Sequence, residues 1–129
     1  MHYEVFLPYP PSVNNYYVKT RRGVRISEKG RKFRDETAEA INQQIPGASV
    51  DDSCLVEVVL WPPDLRKRDI DNCMKSLLDA LTKAGVWEDD SLVNQLFIYR
   101  GAVIKPSGGC FVRITPAGPL LSAGVTPPD

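Results

Sequence analysis

Histidine is almost missing from this sequence: His2 is the only one. Ser-His-Asp and Cys-His catalysis both need an imidazole inside the fold, so neither is expected here. Cysteine is sparse as well. Cys54, Cys73 and Cys110 are odd in number, widely separated and without a CxxC pair. That pattern excludes a zinc cluster and a disulfide framework, and leaves three small core residues. No stretch approaches the roughly 18 consecutive apolar residues of a membrane span. The start, Met1-His2-Tyr3-Glu4-Val5, lacks the basic region and apolar run of a secretion signal, so the expected location is cytoplasmic, with no membrane partner. Internal repeats and a glycine-rich nucleotide loop are also missing. Any hydrolytic chemistry falls to carboxylates, lysine or a hard metal ion.

What is present is an ordinary globular composition, with 43% hydrophobic and 25% charged residues in a chain of 129, enough for one modest core. Sixteen basic and sixteen acidic residues cancel, yet they are not mixed. Eight of the sixteen cations fall between Lys19 and Arg34, where Glu28 is the only acid. Arg66, Lys67 and Arg68 form a second cluster, while acids gather at Asp35-Glu36, Asp51-Asp52 and Glu88-Asp89-Asp90. Such polarity suits a polyanionic partner better than the net charge suggests.

Alternation predicts a strand over residues 3–7, closed by Pro8-Tyr9-Pro10-Pro11-Ser12, because proline removes a ladder donor and fixes φ. Gly23 marks a turn or hairpin tip. Ser27 is the N-cap of a helix over residues 28–44, with Phe33, Thr37, Ala38, Ile41 and Ile45 as its apolar stripe, stopped by Pro46-Gly47. A branched and aromatic run predicts a strand over residues 55–61. The next helix spans residues 69–84, with Ile70, Met74, Leu77, Leu78 and Leu81 on one face and Gly85 as its left-handed terminator. Residues 92–100 and 110–115 read as two further strands, joined by a Pro106-Ser107-Gly108-Gly109 turn. The fold expected is a small single α/β (α+β) domain over residues 1–115, a mixed β-sheet with two helices packed on it. Residues 116–129, with four prolines and two glycines, are expected to form a flexible tail.

Asp69 and Asp71 stand where the second long helix begins. Carboxylates at i and i+2 diverge by roughly 200° on a regular helix, so Asp69 must precede the helix if both hold one ion. Hard oxygen ligands suit Mg²⁺, which keeps waters for substrate phosphate. The competing reading is structural: Asp69 caps the helix and Asp71 complements its dipole. Lys75, four residues after Asp71, either forms a surface ion pair or places a cation where phosphoryl charge develops. Asp89 or Asp90 could supply a third carboxylate.

The basic stretch has a bland alternative in solubility. Arg21, Arg22, Arg25, Arg31 and Arg34, with Lys29 and Lys32, are instead read as phosphate contacts, arginine being suited to bidentate binding. Arg66, Lys67 and Arg68 join them. Asn14, Asn15, Tyr16 and Tyr17 lead into the stretch, and the two tyrosines are candidates for stacking on bases.

Several blocks in this order resemble the RusA-type Holliday-junction resolvases of bacteria and prophages. They are Leu7-Pro8-Tyr9-Pro10-Pro11-Ser12-Val13-Asn14-Asn15-Tyr16-Tyr17, then Arg68-Asp69-Ile70-Asp71-Asn72, Lys75, and the run from Asp79 through Trp87-Glu88-Asp89-Asp90. Tyr9 departs from the tryptophan associated with that position. The resemblance implies that Asp69, Asp71 and Asp90 bind the metal (Mg²⁺, with Mn²⁺ as a substitute) and that Lys75 is the catalytic lysine. It implies a homodimer that resolves four-way DNA junctions by paired symmetric nicks. Two other classes compete: a catalytically silent branched-DNA-binding protein, and a DxD transferase, which the missing nucleotide loop disfavours.

Overall fold

The computed structural model describes residues 1–118 and 124–128. In chain order the elements are β1 (Tyr3–Leu7), α1 (Val13–Tyr16), β2 (Tyr17–Thr20), β3 (Gly23–Ile26), α2 (Glu28–Gln44), β4 (Cys54–Trp61), α3 (Met74–Lys83), a 3₁₀ turn (Asp90–Leu92), β5 (Val93–Arg100) and β6 (Gly109–Pro116). Four strands form one mixed sheet in the order β1-β6-β4-β5, and β2 pairs with β3 in a separate hairpin.

Strict alternation along β4 buries Cys54, Val56, Val58 and Leu60 on one face. Val112 and Ile114 of β6 and Val5 and Leu7 of β1 continue that face. Leu77 and Leu81 of α3 and Phe33 and Ile41 of α2 belong to the same core, which is the expected sheet with two long helices on it. The opposite face carries Phe6 and Phe111, whose ring centroids are 5.0 Å apart. Beside them Arg113 pairs with Glu4 at 2.7 Å and Glu57 at 3.7 Å.

The expected strand over 3–7 and helix over 28–44 form with those bounds, and Ser27 caps α2 by accepting from the Gly30 N–H at 3.0 Å. Gly85, at φ +85°, ends α3 as its position predicts. Three features differ from expectation. First, α3 starts at Met74 rather than residue 69. The Asn72 carbonyl accepts from the Val13 N–H at 2.9 Å, and residues 69–73 close as turns instead. Ile70 is therefore off the buried stripe and 39% exposed. Second, the short helix α1 occupies the segment read as a lead-in, whereas the β2–β3 hairpin turns next to Gly23 as that glycine predicts. Third, β5 and β6 are not neighbours: both flank β4, parallel and antiparallel respectively. The connection over residues 101–108 must therefore cross the end of β4, where Gly108, at φ +68°, leaves no room for a Cβ against the Trp61 carbonyl.

β6 runs to Pro116, one residue beyond the expected strand. Ala117 and Gly118 are tied down, the first by Ser53 and the second by the Gln95 side chain. Residues 116–118 of the expected tail are thus held by the fold, and its residues 119–123 and 129 lie outside the described residues.

Candidate active site

The parallel pair β4–β5 puts two strand carboxyl ends side by side, the usual location of a site in open α/β sheets. From the end of β4, residues 62–73 lead into α3, and this loop is braced. Arg68 pairs with Asp64 at 2.8 Å, and the Arg66 N–H donates to the same carboxylate at 3.0 Å. Those two bonds, the guanidinium first, pull the Asp64 carboxyl down to about 2. Arg100, from the end of β5, donates to the Arg68 carbonyl at 2.7 Å. Asp69 and Asp71 follow directly on this support, both exposed. The N-cap position of α3 is Cys73, with no side-chain cap bond, so neither aspartate caps the helix.

Asp90 lies in the 3₁₀ turn before β5. Asp89 caps that turn, its carboxylate accepting from the Ser91 N–H at 2.9 Å. Burial pushes the Asp90 carboxyl up, and the charges of Asp89 and Asp79 add to it. Because β4 and β5 are parallel, the end of one and the start of the other lie at opposite ends of the sheet. Asp69 and Asp71 precede the ten-residue α3 and Asp90 follows it, so a helix about 15 Å long separates them. No group of three or more His, Cys, Asp or Glu among the described residues is close enough to hold a metal ion. In donor type, three all-oxygen carboxylates fit a hard cation; as a set they are not gathered within the single chain.

Lys75 is exposed on the first turn of α3, and its Nζ lies over the Tyr17 ring, 5.7 Å from the centroid. It forms no ion pair with Asp71 among the described residues. One turn further along, Asp79 receives the Tyr16 hydroxyl and the Arg34 guanidinium, the latter through Nε at 3.0 Å and Nη2 at 2.9 Å. This knot corrects two expectations. Tyr16 has no exposed surface, so it is a core residue and no base can stack on it. Arg34 is three-quarters buried and paired with Asp79, so its charge is engaged within the fold. Burial and the adjacent Asp79 push the Tyr16 phenol up. Nothing in the sequence pattern announced the knot, since Asp79 has Lys75 and Lys83 at helical i−4 and i+4 spacing and bonds to neither.

The remaining cations of the two clusters are exposed, except Arg68, which is largely buried and paired with Asp64. Arg21 and Arg22 form the two-residue tip of the β2–β3 hairpin, where the Thr20 hydroxyl donates to the Gly23 carbonyl at 2.9 Å and accepts from the Arg22 N–H at 3.2 Å. Arg25 and Arg31 are exposed beyond it. Lys29 and Lys32 of α2 share one groove with Arg66, Lys67 and Arg68, walled by residues 8–11 and reached by Asn15 and Asn72. Asn14 is exposed but does not line this groove. A second cleft adjoins it across residues 66–68 and is lined by Asp69 and Arg100. Two basic clusters more than thirty residues apart in sequence are thus one surface, next to the aspartates.

Exposed carboxylates beside cation-lined clefts on a mixed α/β domain suit a protein that acts on a polyanion. The chain belongs to the RusA endodeoxyribonuclease family, whose family model matches residues 8–115. It is 36% identical over 113 residues to the crossover junction endodeoxyribonuclease of Enterobacteria phage HK97, covering 88% of this chain and 93% of that protein. The protein of the same name from Escherichia coli strain K12 is 35% identical over 116 residues, covering 90% and 96%. That of Enterobacteria phage 82 is 36% identical over the same length. The chain is accordingly an endonuclease by family. Asp69, Asp71, Lys75, Asp90 and both basic clusters fall inside the matched span.

Proposed function

We propose that the protein is a magnesium-dependent endonuclease that resolves four-way DNA junctions by paired symmetric nicks, in recombination and repair. The observation that carries this reading is the uncapped Asp69–Asp71 pair, exposed on a braced loop whose neighbouring side chains line both cationic clefts. The names of the relatives supply the branched substrate. Asp69, Asp71 and Asp90 would hold Mg²⁺, or Mn²⁺ in its place, where an assembly brought Asp90 to the other two, since the single chain keeps them apart. A bound ion would supply Lewis acidity that lowers the pKa of an attacking water. Lys75 donates to phosphoryl oxygen as charge builds there. Lys29, Lys32, Arg66 and Lys67 seat one DNA arm by its phosphates, while Arg68, paired with Asp64, braces the loop beneath them, and Arg21, Arg22, Arg25 and Arg31 reach a second arm; such contacts set register without reading bases. A four-way junction presents its strands in symmetric pairs, which matches a two-fold homodimer bearing two sites.

The test is Asp71→Asn on a labelled synthetic four-way junction with Mg²⁺. Cutting is expected to be lost while junction affinity stays within about threefold, since one phosphate contact at most is touched. Full cutting by this variant refutes the metal assignment. A wild-type protein that binds junctions and never nicks them makes it a silent junction-binding protein.

A further inference from the structure

We infer that Tyr17 is a positioning residue for Lys75, acting through the face of its ring; this rests on the reading of Lys75 as part of the cleavage site. Lys75 is exposed and has no carboxylate within ion-pair distance among the described residues. A lysine so placed ordinarily samples many rotamers, and holding one geometry costs side-chain entropy. The aromatic face is the partner this structure offers, with Nζ 5.7 Å from the Tyr17 centroid. A ring quadrupole attracts an ammonium without neutralising it, which leaves the charge available to a phosphoryl oxygen. A carboxylate partner would compete with that oxygen.

The ring is itself fixed from behind. Tyr17 meets Tyr16 edge to face, with centroids 4.9 Å apart and planes at 89°. Tyr16 is buried completely, its hydroxyl bonded to Asp79 and its carbonyl accepting from the Ser27 backbone N–H at 2.9 Å. Asp79 is one helical turn from Lys75 on α3, so the lysine and the anchor of its aromatic support share one rigid element. This arrangement assigns Tyr17 a role other than base stacking: one face lies under the ammonium, an edge contact occupies its Tyr16 side, and the residue is half-buried.

The experiment compares the full-length protein with Tyr17→Phe, Tyr17→Leu and Lys75→Ala. Three quantities are read: single-turnover cleavage of a four-way junction with Mg²⁺, junction affinity without divalent metal, and the ¹³C-methyl resonance of Lys75 after reductive methylation. Tyr17→Phe keeps the ring and is expected to behave as wild type in all three. Tyr17→Leu is expected to slow cleavage of bound junction about two- to fivefold, the loss of one exposed cation–π contact, with affinity unchanged. The Lys75 methyl signal, shifted upfield by the ring in wild type and Tyr17→Phe, is expected to return to the position of the other lysines. An unshifted signal in wild type, or unslowed cleavage by Tyr17→Leu, overturns the inference. So does weakened junction affinity with normal cleavage once bound, which makes Tyr17 a DNA contact. Wild-type cleavage by Lys75→Ala overturns the underlying reading instead, and that arm separates the two failures.

Discussion

Asp79→Ala tests the buried knot beneath the site. The carboxylate is 24% exposed and Arg34 is 26% exposed, so the pair lies between surface and interior. Exposed pairs contribute about 0.2–1 kcal/mol, and breaking a fully buried pair costs about 3–5 kcal/mol, which places this one near 2 kcal/mol. The Tyr16 hydroxyl adds to this. It still accepts from Arg34 Nε at 2.8 Å, but its own proton loses its acceptor in the core. An unsatisfied buried donor costs about 1–3 kcal/mol, so the total for Asp79→Ala is about 4 kcal/mol. Tyr16→Phe, which leaves the Asp79–Arg34 pair intact, is expected to cost only about 1 kcal/mol. Urea unfolding followed by circular dichroism at neutral pH measures both, and the double variant tests their coupling. The two groups share one network, so the double variant is expected to lose less than the sum. A loss under about 0.5 kcal/mol for Asp79→Ala would falsify the knot as a stabilising element.

Arg66→Ala with Lys67→Ala is expected to reduce the slope of log affinity against log salt by about 1.8 if each cation meets one phosphate, whereas Arg34→Ala should leave that slope unchanged and lower stability. Titrating junction affinity against salt separates these outcomes. Gly30→Ala runs against helix propensity, which favours alanine by about 1 kcal/mol. A Cβ at residue 30 would sit 2.6 Å from the Tyr16 carbonyl oxygen and 2.6 Å from Ile26 Cγ1, so the melting temperature is expected to fall rather than rise. The Asp64 carboxyl titrates lower in the folded chain, at about 2 against an ordinary 3.8, so its contribution is present above pH 3.8 and lost as pH falls through about 2. Asp64→Asn is expected to flatten that part of the acid-unfolding curve, and an unaltered acid limb would remove the Arg68 brace from the account.

Local chemistry made much of the architecture legible. The strand over 3–7 ends because prolines at 8, 10 and 11 cannot donate to a ladder, and α2 begins at Ser27 because its hydroxyl meets the Gly30 N–H. Alternation identified β4, and two-sign charge clustering identified the cationic segments. Such signals depend on neighbours in sequence, so one chain carries them in full. The start of α3 was not legible, because the Asn72 carbonyl is drawn off by Val13, a residue 59 positions earlier in a turn that no periodicity reports.

The candidate site divides the same way. Residue types at Asp69, Asp71 and Lys75 suggested a hard-metal reading from the sequence by itself, the family resemblance added Asp90 to it, and the order of the motifs pointed to the family. Only the tertiary structure decided which cations stay free. Arg34 and Arg31 look alike in sequence, yet Arg34 turns inward to Asp79 on α3 while Arg31 faces solvent. Tyr16 and Tyr17 look alike too, and one is core while the other lies beneath an ammonium. The fold also joined Lys29 and Lys32 to Arg66, Lys67 and Arg68, and set Asp90 a helix length away from Asp69 and Asp71 by making β4 and β5 parallel. Residue chemistry is local and can be read in order along the chain. Burial, pairing and separation depend on which distant segments the packed core brings together.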